Sequence, residues 1–165
     1  VRAATALGVS MMTIHTSGGI AMMRAAAEAA SAESKRLGIE RPLIVGVTVL
    51  TSLSGEDLAR TFGTTGAAGD LVMRLAAEAR EAGLDGIVAS VEEARAVKEA
   101  LGAGFKVVTP GIRPAGAGAG DQKRTATPRA AREAGSDYLV VGRPIIEAES
   151  PRDAAERILR ELNEG

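Results

Sequence analysis

"LDGIVASVEEARAVKEALGAGFKVVT", Leu84 to Thr109, sets two short apolar runs on either side of a charge-studded, alanine-rich stretch. Gly86–Ala89 and Phe105–Thr109 are apolar at successive positions instead of alternating, which is the pattern of strands covered on both faces. Between them, Ser90 and Glu93 have the spacing of a capping box ahead of "VEEARAVKEALG", and Gly102 is placed to stop the helix. A strand, a helix and a second strand in that order imply a parallel pair joined by a right-handed crossover.

The same alternation extends in both directions. Further strands are expected at Met11–His15, Leu43–Val49 and Tyr138–Val141. Helices are expected from Ile20 to Leu37 and from Ala68 to Ala82. Two more open at Thr127 followed by Pro128 and at Ser150 followed by Pro151, each a capping residue with proline in the first helical position. The reading is one α/β domain over residues 1–165 with about five βα units. "VRAATALG" at the start reads as a helix ending at Gly8, and the expectation is a chain that begins inside a helix with sequence missing upstream. Five parallel strands would leave two sheet edges to be covered or closed.

Composition narrows the function. The 165 residues are 45% hydrophobic and 25% charged, with a net charge of −1, as expected of a folded globular domain. Near-neutrality offers no electrostatic footprint for nucleic acid or an anionic membrane. The aromatic set is only Phe62, Phe105 and Tyr138, too few for base-stacking platforms. Nucleic acid and membrane are therefore not expected as partners. With no cysteine there is neither a disulfide framework nor a thiolate metal site, and with His15 as the single histidine a multi-histidine metal site is excluded. No apolar run approaches the roughly 18 residues of a membrane span, no signal peptide is seen, and a cytoplasmic location is expected.

Chemistry concentrates after the expected strands. "VVGRPI" follows the last one: Gly142 would let backbone approach an anion closely, and Arg143 would offer a guanidinium fork to a phosphate. The other reading of the pair, a plain turn with a solvated cation, stays open for "GRP" taken alone. One unit earlier, "TPGIRPAGAGAGDQKR" is a glycine-rich arm carrying Arg113, Asp121, Gln122, Lys123 and Arg124; long loops of this kind are often lids, and Gln122 could reach the same anion. "GAGAGD" is not a dinucleotide fingerprint, because it lacks the immediate strand-to-helix setting. Thr48, Thr51 and Ser52 end another strand and could meet a substrate, although Ser52 or Ser54 equally suits a cap for "GEDLARTF". His15 reads as a hydrogen-bonded structural residue. Lys106 begins its strand instead of ending it, which argues against a Schiff-base aldolase.

Taken together, "IHTSGG", "VTVLTS", "LDGIVAS", "VTPGIRP", "AGDQKR" and "YLVVGRPI", in this order and spacing, resemble the bacterial type of orotidine 5′-phosphate decarboxylase over essentially the whole chain. The resemblance implies a (β/α)8 TIM barrel of which this chain holds an incomplete part, strands four to eight. It implies a homodimer that uses neither metal nor organic cofactor and converts orotidine 5′-monophosphate (OMP) to UMP. It assigns Thr51 to the pyrimidine, and Arg113, Gln122, Gly142 and Arg143 to the phosphate and the loop that closes on it. The family's catalytic lysine and aspartates lie on a D-x-K-x-x-D signature expected just upstream of Val1 and absent from these residues. The chain is thus expected to hold nucleotide without catalysing alone. A non-catalytic phosphate-binding part-barrel, natural or engineered, is the alternative.

Overall fold

A computed structural model of the chain describes residues 1–64, 66–114 and 124–163. Helix α1 (Arg2–Ala6) leads into β1 (Met11–His15), a 3-10 turn (Thr16–Gly18) and the long helix α2 (Gly19–Leu37). There follow β2 (Leu43–Val47), α3 (Gly55–Phe62), α4 (Ala68–Glu81), β3 (Gly86–Val88), α5 (Val91–Leu101) and β4 (Lys106–Thr109). The chain then runs through α6 (Pro128–Glu133), β5 (Tyr138–Leu139), α7 (Arg143–Ile146) and α8 (Pro151–Asn163). All four strand pairings are parallel and the strands lie in sequence order, β1 to β5. Among the described residues β1 and β5 are the sheet's two edges, as five units of an incomplete barrel require.

Register fixes the two faces. Met12, Ile44, Ile87 and Val107 lie on the helix-covered face, where they pack with Met23, Leu75, Ala79 and Val97. Thr13, Val45, Gly86, Lys106 and Tyr138 belong to the opposite face by the two-residue period of a strand. Val45 and Val108 are buried there, whereas Thr13 and Tyr138, on the edge strands, are exposed. A Cβ on Gly86 would stand 2.2 Å from the backbone oxygen of Lys106, so this pairing closes only around a glycine.

Strand boundaries are shorter than the apolar runs suggest. The run Leu43–Val49 ends as strand at Val47, because Thr48 already turns its hydroxyl onto the Val88 carbonyl at 2.8 Å. The run to Val141 ends at Leu139, on an edge strand with one neighbour. Thr127 accepts a hydrogen bond from the Ala130 amide at 3.1 Å and opens α6 with Pro128 behind it, as expected. The reciprocal capping box, however, belongs to Ser54 and Asp57 on α3, not to Ser90 and Glu93.

One device recurs at the feet of the strands. "REAGLDGIV" (Arg80–Val88) and "REAGSDYLV" (Arg132–Val140) each end a helix, turn on a glycine with positive φ (Gly83, Gly135) and enter a strand through an aspartate. The Asp85 carboxylate accepts the Ile44 amide at 2.7 Å and Asp137 accepts the Val107 amide at 2.8 Å, so each clasps the preceding strand. Each also holds a cation: Arg41 at 2.7 Å on Asp85, and Lys98 at 2.6 Å with Lys106 at 3.2 Å on Asp137. Burial works against ionisation of Asp137, but the hydrogen bonds from Lys98, the Val107 amide and Lys106 outweigh it and hold its carboxyl below the ordinary aspartate value.

Candidate functional site

Because every strand runs the same way, their C-terminal ends open on one rim, where the βα turns of such folds carry chemistry. The rim is tied together laterally. Thr16 donates its hydroxyl to the Val47 carbonyl at 2.9 Å, joining the turn after β1 to β2, and Thr48 does the same to Val88 on β3. Backbone bonds continue the series, from the Ala89 amide to Val108 at 3.1 Å and from the Val140 amide to Thr109 at 2.9 Å.

The hydroxyls of the turn after β2 separate into different jobs. Thr48 is buried and its hydroxyl is engaged by Val88, which makes it a tie instead of a substrate contact. Ser54, of the two serines considered, is the N-cap of α3: its Oγ accepts from the Asp57 amide at 3.3 Å while its own amide donates to Asp57 Oδ2 at 2.8 Å. Thr51 sits between them, 6% exposed, in the tight turn that the Leu53 amide closes onto the Leu50 carbonyl at 3.0 Å. His15 is exposed at the end of β1. Its backbone pairs with Val47, but among the described residues its side chain makes no hydrogen bond, so the structural bond expected of it is not found.

The expected phosphate residues fall on neighbouring turns, because β4 and β5 pair directly. After β4 the chain turns on Gly111 (φ 75°), and a short parallel bridge joins Ile112 to Ala126. The Arg113 amide donates to the Ala126 carbonyl at 2.9 Å and its guanidinium donates to the Ile112 carbonyl at 2.9 Å, so Arg113 stands at the foot of the arm. After β5, Gly142 precedes α7 and Arg143 opens it; the Ile145 and Ile146 amides fold back onto the Gly142 carbonyl at 2.9 and 3.1 Å. Among the described residues a Cβ on Gly142 would meet no atom within 4 Å, so the space directly over this turn is open. Gln122, with Asp121 and Lys123, lies outside the described residues. Among the described residues, no group of three or more metal-ligating side chains is assembled, and no helix is long and apolar enough to cross a membrane.

The arrangement also contains a pair that sequence reading assigns differently. Glu93, expected to cap α5, turns its carboxylate to the Arg124 guanidinium instead, and Ser90 donates its hydroxyl to the same carboxylate. Arg124 also donates to Ser90 Oγ at 3.3 Å and to the Val49 carbonyl at 3.4 Å. A buried glutamate three residues after a serine looks, in sequence, the same as an exposed one. Only the companion Arg124, far along the chain, distinguishes them.

The chain matches the model of the family described as "Orotidine 5′-phosphate decarboxylase / HUMPS family" over residues 1–158. It is 51% identical over 163 residues to the orotidine 5′-phosphate decarboxylase of Vibrio cholerae serotype O1, covering 99% of this chain and 67% of that protein. It is 49% identical to the enzyme of the same name from Sodalis glossinidius, covering 100% of this chain and 64% of that one. The crystal structure of orotidine 5′-phosphate decarboxylase from Lactobacillus acidophilus superposes with a TM-score of 0.82 at 36% identity, covering 98% of this chain and 67% of that chain. The chain thus spans about two thirds of the length of these relatives.

Proposed function

Because the chain belongs to the orotidine 5′-phosphate decarboxylase / HUMPS family, we propose that it supplies the phosphate- and nucleotide-holding part of an enzyme that converts OMP to UMP and carbon dioxide. The observation that carries this reading is the adjacency of two turns. Arg113 follows β4, Gly142 and Arg143 follow β5, and the two strands are hydrogen-bonded neighbours, so both cations belong to one stretch of rim. Two guanidinium groups beside an open glycine turn suit a phosphate dianion, which takes bidentate, charge-assisted bonds. Thr51 is assigned to the pyrimidine side, and Gln122 joins the phosphate group on its place in the sequence alone. A homodimer without metal or organic cofactor is part of the same proposal.

The reaction breaks the bond between pyrimidine C6 and the carboxylate carbon, leaves the electron pair on C6 and takes up a proton there. Arg113, Gln122, Gly142 and Arg143 hold the far end of that substrate, and only Thr51 is assigned to the ring that reacts. Binding energy from a remote group accelerates chemistry only where it helps reach the transition state. The D-x-K-x-x-D pattern assigned to the proton transfer is absent from these 165 residues, an observation that also favours a second reading, a phosphate-binding part-barrel without catalysis. UMP binding alone fits both readings, and UMP formation separates them.

Arg143→Ala tests the site. Charge-assisted hydrogen bonds contribute about 1.5–3 kcal/mol, so the substitution should weaken UMP binding roughly tenfold to a hundredfold by calorimetry. Equal affinity for mutant and parent would remove Arg143 from the phosphate site.

A further inference from the structure

Neither Glu93 nor Arg124 is assigned to phosphate, although Arg124 stands at the end of the arm that carries Gln122, and the pair ties together three segments of the rim. Glu93 is 6% exposed and the Arg124 side chain 11% exposed, so both charges are taken almost fully out of water. Arg124 reaches the end of the β2 turn through Val49 and the head of α5 through Ser90 and Glu93. Two residues further on, Ala126 is bridged to the foot of the arm: its amide donates to the Gly111 carbonyl at 3.3 Å and its carbonyl accepts from the Arg113 amide. The chain of contacts therefore runs from α5 through Arg124 to the backbone that carries Arg113.

Stability is a poor reason for such a pair. Desolvating two charges costs much of what their attraction returns, and apolar residues of similar volume often hold a core as well. Among the described residues the Arg124 Nε–H is moreover buried with no hydrogen-bond acceptor. What an ion pair with a planar fork gives that apolar packing does not is direction, since it is satisfied only in one orientation. The glutamate has also been drawn away from helix capping, a local role that its spacing from Ser90 would have allowed.

We propose that the buried Glu93–Arg124 pair is a positioning device that sets the foot of the β4–α6 arm, and through it Arg113, so that it controls affinity for the phosphate end of a nucleotide without contacting it. This rests on the reading that Arg113 faces phosphate. The informative variant is Glu93→Leu with Arg124→Met in the same chain, which removes both charges, keeps the volume apolar and frees the Ser90 hydroxyl to cap α5.

The double variant should melt cooperatively at a temperature close to the parent's while binding UMP about threefold to thirtyfold more weakly, the range over which residues remote from a ligand modulate its binding. Arg124→Lys, which keeps the charge but not the fork, should recover only part of the affinity. Hydrogen exchange supplies a readout that needs no ligand. The Arg113 and Ala126 amides should exchange about tenfold faster or more in the double variant, with the β2, β3 and β4 amides unchanged. If the parent chain fails to bind UMP, the proposed function falls and the exchange result alone decides this proposal. A folded double variant with parental UMP affinity, or with parental exchange at Arg113 and Ala126, overturns it.

Discussion

At Gly86 the backbone of β4 comes so near that a single added carbon would overlap the Lys106 carbonyl, 2.2 Å away, with the Lys106 Cβ at 2.7 Å. Neither atom belongs to a flexible side-chain end, so the strain cannot be relieved by a rotamer change. Gly86→Ala should lower stability by about 1–3 kcal/mol, as overpacking in a filled interior does, read as a lower urea midpoint. An unchanged midpoint would mean that the β3–β4 pairing is looser than this register. Gly142 presents the opposite case, with no atom of the described residues within 4 Å of an added Cβ. Alanine there should cost little stability, and any effect should appear in nucleotide binding.

Elements reveal what periodicity can and cannot convey. Met11–His15 is a strand over the residues its apolar run marks, and Thr127 with Pro128 opens a helix as its chemistry dictates, since both signals are local. The ends of β2 and β5 are not legible in the sequence, because the apolar run continues past them and a last backbone bond, from Thr48 to Val88 and from Val140 to Thr109, outlasts the strand itself. Thr51, Arg113 and Arg143 could be picked out by their place after strands, whereas Arg124 and Glu93 could not be matched across the intervening residues. The Asp85 and Asp137 clasps escaped for the same reason, as their partners are amides on another strand. Asp137 nevertheless makes a testable contribution. Its carboxyl is held below the ordinary value, so it binds a proton less readily folded than unfolded. The stability this provides is complete above the unfolded aspartate value of about 3.9 and is lost as pH falls through the lower folded value. The side chain is 19% exposed, and solvent discounts the pair, so Asp137→Asn should cost about 1–2 kcal/mol at pH 7. The gap between variant and parent should narrow in urea titrations as the pH is lowered toward 3; a gap of constant size would remove the charge from the explanation.

For the whole molecule the open edges dominate. β1 and β5 each have one hydrogen-bonded neighbour among the described residues, and beside β5 lies a cleft of about 580 Å³ lined by Leu139, Val141, Ile145, Ile158 and Leu162. Unpaired edges of this kind are ready to accept further strands. On the proposed reading, in which none of the residues assigned here transfers the proton, the 165-residue chain alone should form no UMP from OMP, and a separate polypeptide carrying strands one to three of a family barrel should restore formation when mixed with it. Turnover at family-like rates by the chain alone, in a preparation free of host enzyme, would place the catalytic residues among these 165. The two aspartate clasps bear on how such a wall can change over time. β3 grips β2 and β5 grips β4, so the adhesive repeats every second strand. Gain or loss of a complete strand–helix–strand–helix block would leave every aspartate facing an amide. Each grip is made to a main-chain amide, which any strand carries, so the side chains of β2 and β4 can be exchanged without loosening the clasp.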